Sequence, residues 1–299
     1  MDRYTIGGIR IAGQAPSRGL RIGFAARYVL GMNLSFLKLR VADCPWILFD
    51  RYPSAVHPLD GGRSDEPPWA SIAVDICSRS KGASAVGIVV IGRDAAVNVV
   101  RAWDSRGNPL APPPAAALCA SRLLFDAGRG GADSVSFMSM GSEIESMAID
   151  SRTLGLSVGV PVLGDGSPVD GAFGALGAGL RAASGSGVAI PLRIGGEDVD
   201  VALFDLPPAR RIGSAPIGGR VEAFAVSRQE LRVRRAVCDP VVAAAASTVA
   251  SVIADYADRE TAVLIGRDRL VVQWPEGGPV FVASTPEYCL SGEFWVAES

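Results

Sequence analysis

Twice along this chain a run of short apolar strands stops at a proline, passes into one apolar helix, and then resumes as strands. The first break is APPPAAALCASRLLFDAG. There Leu118, Cys119, Leu123 and Leu124 form an apolar stripe and Gly128 is a C-terminal stop, so a helix is expected over 115–128. The second is CDPVVAAAASTVASVIADYA, with a longer helix expected over 239–257. Around them LSFLKLRVA, VGIVVIG, AVNVVRAWD, VEAFAVS, ELRVRRAV and RLVVQWP are β-rich and end at glycine or other turn residues. ASIAVDICSRS, 70–80, reads as a further short helix. A plan of strands, proline-headed helix and strands, used twice, is that of an α+β protein doubled in architecture, although its halves share little residue identity.

With 299 residues the chain is long enough for two units of roughly 100–200 residues each. The expected division is 1–163 and 164–299, the last strand crossing back to the first lobe. A net charge of −2 speaks against a nucleic-acid partner, which would call for a basic face. No stretch reaches the ~20 apolar residues of a membrane span, so no membrane partner is expected. The five cysteines are odd in number, widely spaced and without a CxxC pair. That pattern supports neither a disulfide framework nor a zinc site, and fits a reducing cytoplasm. The start, MDRYTIGGIRIAGQ, carries charges where a secretion signal needs an apolar run. His57 is the only histidine, in the loop-like AVHPLDGG, which nearly excludes histidine-based triads and multi-histidine metal sites; no metal is expected. Arginine far outnumbers lysine, with Lys38 and Lys81 alone, as a GC-rich genome would produce.

Two segments stand outside the doubled plan. Within 1–35, RYTIGGIRIAG and LRIGFAARYVLG read as a strand pair, an added edge hairpin with a cleft cap or a homodimer contact as alternatives. Residues 164–186, rich in Gly, Ser and Ala, read as a linker, with a mobile loop over a site as the alternative.

From about residue 36 onward, five segments arrive in an order that resembles diaminopimelate epimerase: LKLRVADCPWILFDRY, RSKGASAVGIVVIG, WDSRGNPLAPPPAAALCASRLLFDAG, AVCDPVVAAAASTVASVI and GGPVFVASTPEYCLSGEFWV. The resemblance implies a two-lobed fold, each lobe a curved β-sheet wrapped around a central α-helix. It also implies cofactor-independent chemistry in the cleft between the lobes. In that family a cysteine thiolate removes the substrate's α-proton and a second thiol protonates the other face, while helix N-termini hold the α-carboxylate.

Carried across, that machinery is mostly replaced. The first catalytic cysteine falls on Pro113, and the Gly-Asn-Gly after it on Pro114, Ala115 and Ala116. Proline moves no proton and offers no N–H. Cys119 matches a core cysteine of the helix. The second catalytic cysteine is kept as Cys238, but its Gly-Thr-Gly has become Asp239, Pro240 and Val241. Asp at the N-cap followed by Pro at the first helical position is also ordinary helix chemistry. Family asparagines fall on Cys44, Asp104 and Val221, an aspartate on Val86, and Gly-Asn-Pro-His on Gly195, Gly196, Glu197 and Asp198. The loop with the arginine and glutamate that hold the amino group has no counterpart, because ELRVRR runs almost directly into AVCDP.

The expected site therefore has Asp104, Cys238 and Asp239 as proton-transfer candidates. Cys44, Trp46, Pro113, Ala116, Gly196 and Val221 are expected to bind substrate. Such a cleft suits a largely neutral small molecule rather than a zwitterion. The leading expectation is a repurposed isomerase or cyclase without cofactor, acting on a specialised, antibiotic-type metabolite. The alternatives are a non-catalytic binding or scaffold protein with this fold, and an atypical epimerase using Cys238 with Cys44 or Asp104 opposite.

Overall fold

The computed structural model describes residues 3–6, 9–12, 32–51, 67–80, 82–166, 169, 188–204 and 221–296, the first two segments as backbone alone. His57, the stretch 20–31 and most of 164–186 lie outside the described residues. Of the strand pair expected between 3–13 and 20–31, the second member lies outside the described residues, and the first holds a pair of its own. There β1 (Arg3–Ile6) and β2 (Ile9–Ala12) pair with each other. A Gly-Gly step separates the two strands in sequence, as in short hairpins.

The described strands join into one mixed sheet. In the first half these are β3 (Met32–Val41), β4 (Cys44–Asp50), β5 (Gly87–Asp94), β6 (Val97–Asp104), β7 (Pro109–Leu110), β8 (Ser134–Ser139), β9 (Ser142–Ala148) and β10 (Leu154–Ser157). The second half has β11 (Val162–Leu163), β12 (Val188–Ile194), β13 (Glu197–Phe204), β14 (Val221–Ser227), β15 (Glu230–Ala236), β16 (Glu260–Ile265), β17 (Asp268–Gln273), β18 (Phe281–Ser284) and β19 (Glu287–Val296). The pairing pattern is used twice. β3–β4 and β12–β13 are antiparallel, β4–β5 and β13–β14 parallel, and β5–β6 and β14–β15 antiparallel. Next come parallel β6–β8 and β15–β16, then antiparallel β8–β9–β10 and β16–β17–β18. β10 pairs with β18, and β19 runs antiparallel along β3, so two seams join the halves.

Helix α1 (Trp69–Cys77) lies between β4 and β5; α2 (Pro114–Asp126) and α3 (Pro240–Ile253) form the crossovers of the parallel pairs β6–β8 and β15–β16. α2 touches β3, β4, β5, β8, β9 and β10, while α3 touches every strand from β12 to β18, and the two helices touch each other. α3 is buried on nearly all faces. Alanines at 243–246 let strands approach it closely, and a helix apolar all round belongs in a core. α2 buries Ala115–Ser121, Leu123 and Leu124, and its Ser121 donates to Ser146 of β9 at 2.7 Å. Both helices share one core cluster with strands of both halves. A smaller cluster, with Phe36, Phe49, Trp69 and Phe294, packs α1 against the other face of β3–β5.

Candidate functional site

The prolines that open α2 and α3 do similar local work. Each sits in the first turn, where no intrahelical acceptor awaits its missing N–H, and its fixed φ suits the helix. The caps differ. Pro113 at the N-cap of α2 has no side-chain oxygen to offer. Asp239 at the N-cap of α3 accepts from the N–H of Val241 at 2.8 Å and of Val242 at 3.4 Å through Oδ1. Its other oxygen, Oδ2, accepts from the Ala115 N–H of α2 at 3.0 Å. One carboxylate thus serves the N-termini of both helices, where N–H groups and helix dipoles favour negative charge.

Beside this junction lies a cavity of about 750 Å³. Cys44, Trp46, Pro113, Cys238 and Asp239 line it together. The other expected residues stand outside that lining. Asp104 closes the turn after β6. Its Oδ1 accepts from the N–H of Arg106 and Asn108, and its Oδ2 from the Asn108 side chain. Slight burial raises the Asp104 carboxyl, but these bonds and Arg106 outweigh it and hold it below the ordinary value. Ala116 is fully buried in the first turn of α2, and Val221 is fully buried at the start of β14. Gly196 has φ +78° in the turn between β12 and β13, one residue short of Glu197, which does reach the cavity.

Electrostatics separate the candidate acids and thiols. Burial is the main reason the Asp239 carboxyl is pushed up to about 6, against the pull of its three N–H donors; Glu197 adds to the rise. Burial likewise pushes the Cys44 thiol up to about 12, with Asp239 adding repulsion and the Trp46 N–H partly offsetting it. That indole N–H is itself buried and meets no acceptor at hydrogen-bonding geometry, although its field reaches the sulfur. Cys119, inside α2, is pushed far up by burial and is a core residue.

Sequence reasoning passed over several lining residues, chiefly Asp43, Arg234, Arg235 and Val237. Asp43 sits in the β3–β4 turn beside Arg40, at 3.8 Å. Arg40 also binds Asp268 at 3.3 Å and Glu287 at 2.7 Å, tying that wall to β17 and β19. The arginines owe their place to a β-bulge. Glu222 of β14 opposes Arg235 and Ala223 opposes Val233, leaving Arg234 unopposed. Two successive polar residues in ELRVRRA, breaking its alternation, were the signal for that bulge. Among the described residues no group of three metal-binding side chains comes together.

No protein-family model matches the chain, and no curated protein matches it in sequence. Solved structures do match in fold. A phenazine biosynthesis protein of the PhzF family from Enterococcus faecalis is 12% identical, with a TM-score of 0.55 over 89% of this chain and 100% of its own. A PhzF-family phenazine biosynthesis protein from Bacillus anthracis is 10% identical, with a TM-score of 0.55 over 89% and 99%. A hydroxyproline epimerase from Agrobacterium vitis, solved with trans-4-hydroxy-L-proline bound, is 9% identical, with a TM-score of 0.50 over 89% and 93%.

Proposed function

We propose, for a chain that has the fold of the diaminopimelate epimerase superfamily, a cofactor-independent isomerase or cyclase acting on a specialised metabolite, not on an amino acid. The substrate is taken to be neutral and apolar where it meets the N-termini of α2 and α3. One observation carries the reading: the Asp239 carboxylate already accepts N–H donors from both helices. A substrate α-carboxylate aimed at the same donors would meet a like charge, and Pro113, Pro114 and Pro240 remove further donors. The two-lobed arrangement, divided at 163/164, belongs to the same proposal. It is supported by the repeated pairing pattern and by the separate sets of strands around α2 and α3. Two of the similar structures are named for phenazine biosynthesis, which suits a specialised substrate.

In such a site Asp239 moves the proton. A carboxyl near 6 is well matched to exchange at neutral pH. It takes a proton from an activated carbon and returns it elsewhere on the same face, so that protons balance over one turnover. Cys44, with its thiol near 12, stays protonated and donates only. Cavity walls supply the rest by holding reacting atoms together, an effect that contributes up to ~7–11 kcal/mol. A second reading, an epimerase with Cys238 as base and Cys44 as acid, draws on the two thiols lining one cavity.

Solvent exchange in deuterated water separates them. Diaminopimelate and the common amino acids are expected to take up no deuterium at the α-carbon. Turnover of the native substrate should survive Cys238→Ala. It should fall at least ~100-fold in Asp239→Asn, the usual scale for loss of a general acid or base, and vanish when Val237→Trp fills the cavity mouth. Amino-acid exchange lost on Cys238→Ala would establish the epimerase instead. Full turnover in Val237→Trp would move the site elsewhere.

A further inference from the structure

We infer that Arg234 and Arg235, set side by side by the bulge in β15, form an anion subsite. It takes the carboxylate of an organic acid whose apolar body lies against Val86, Pro113, Val237 and Ile265. This rests on the cavity being the ligand site and adds the class of ligand and the place of its charge.

In a regular strand, neighbours point to opposite faces, so consecutive arginines would be divided between them. The unopposed position of Arg234 removes that constraint, and both residues line the cavity and are exposed. Neither side chain makes a hydrogen bond or ion pair among the described residues. Glu222 stands opposite Arg235 across β14 without closing a pair. The lining's acids are served differently: Asp43 has Arg40, and Asp239 has three backbone N–H groups. Glu197 is engaged in interactions of its own and faces Asp239. What the cavity leaves unmatched is therefore positive charge on adjacent guanidinium forks, a geometry suited to bidentate carboxylate binding.

The opposite requirement is apolar. Val237 is 67% and Val86 44% exposed, both on the cavity wall, where a ligand ring would remove them from water. The cavity volume lies within the range of small-molecule sites. With the helix N-termini closed by Asp239, an anionic group on the ligand has the bulge as its remaining cationic partner in the lining.

The test is calorimetric titration with 2-naphthoate and its neutral counterpart 2-naphthamide. Proteins compared are the unaltered chain, the double variant Arg234→Gln/Arg235→Gln, Arg232→Gln and Val237→Trp. The acid is expected to bind about tenfold more tightly than the amide, as a charge-assisted pair would give. The preference should shrink with added salt, disappear in the double variant, and persist in Arg232→Gln, whose side chain is outside the lining. No preference, no binding of naphthoate at millimolar concentration, or a preference surviving in the double variant overturns the subsite. If both probes bind as well to Val237→Trp, the cavity itself is not the ligand site, and the proposed function falls with it.

Discussion

Asp239 does two things that oppose each other. As an N-cap it contributes about 1 kcal/mol to α3; as a carboxyl crowded by protein it is raised to about 6. An unfolded aspartate titrates near ~3.9. Between those values the folded chain binds the proton more tightly, so its stability falls as pH rises from about 4 to 6, and the cost is complete above 6. Asparagine caps a helix as well but does not titrate. Asp239→Asn should therefore gain on the unaltered protein as pH climbs from 4 to 7, measured by urea unfolding at several pH values. A stability difference constant across that range would show an ordinary carboxyl. The Asp-Pro pair announces the cap locally. Its second bond, to an N–H 124 residues earlier, does not show in the sequence, because nothing in the local pattern says which backbone groups will meet.

At the scale of elements, α3 is unusual in burying Ser247, Thr248 and Ser251 with hydroxyls that have no hydrogen-bond partner. A buried hydroxyl without a partner costs about 1–3 kcal/mol, and an apolar side chain of the same shape avoids that cost. Thr248→Val is accordingly expected to stabilise the protein by about 1 kcal/mol, read as a raised denaturation midpoint. A lowered midpoint would mean that the hydroxyl holds a bond after all. The helices themselves were legible: 114–126 against the expected 115–128, and 240–253 against 239–257. Apolar spacing and proline place a helix because they act within a few residues. The bulge in β15 was less legible, since the register shift belongs to the pairing with β14.

For the whole molecule, the seams matter most. β19 pairs with β3 along nearly its full length and buries Phe294 against the cluster of Leu34, Phe36 and Phe49. Truncation after Thr285 would leave β3 without that partner and uncover this face. The expected outcome is loss of soluble, folded protein, judged by circular dichroism and gel filtration; a folded, monomeric truncated chain would show that the seam is dispensable. The sequence by itself determined the doubled order of strands and helices, the α+β class and, at Pro113, a side chain that moves no proton. Those follow from local propensity and residue chemistry. Tertiary structure alone decided that Asp239 spans two helices, that Asp104 holds its own turn outside the cavity, and that adjacent arginines share one wall. Each depends on which distant segments pack together, and packing is a property of the assembled core rather than of any stretch of chain.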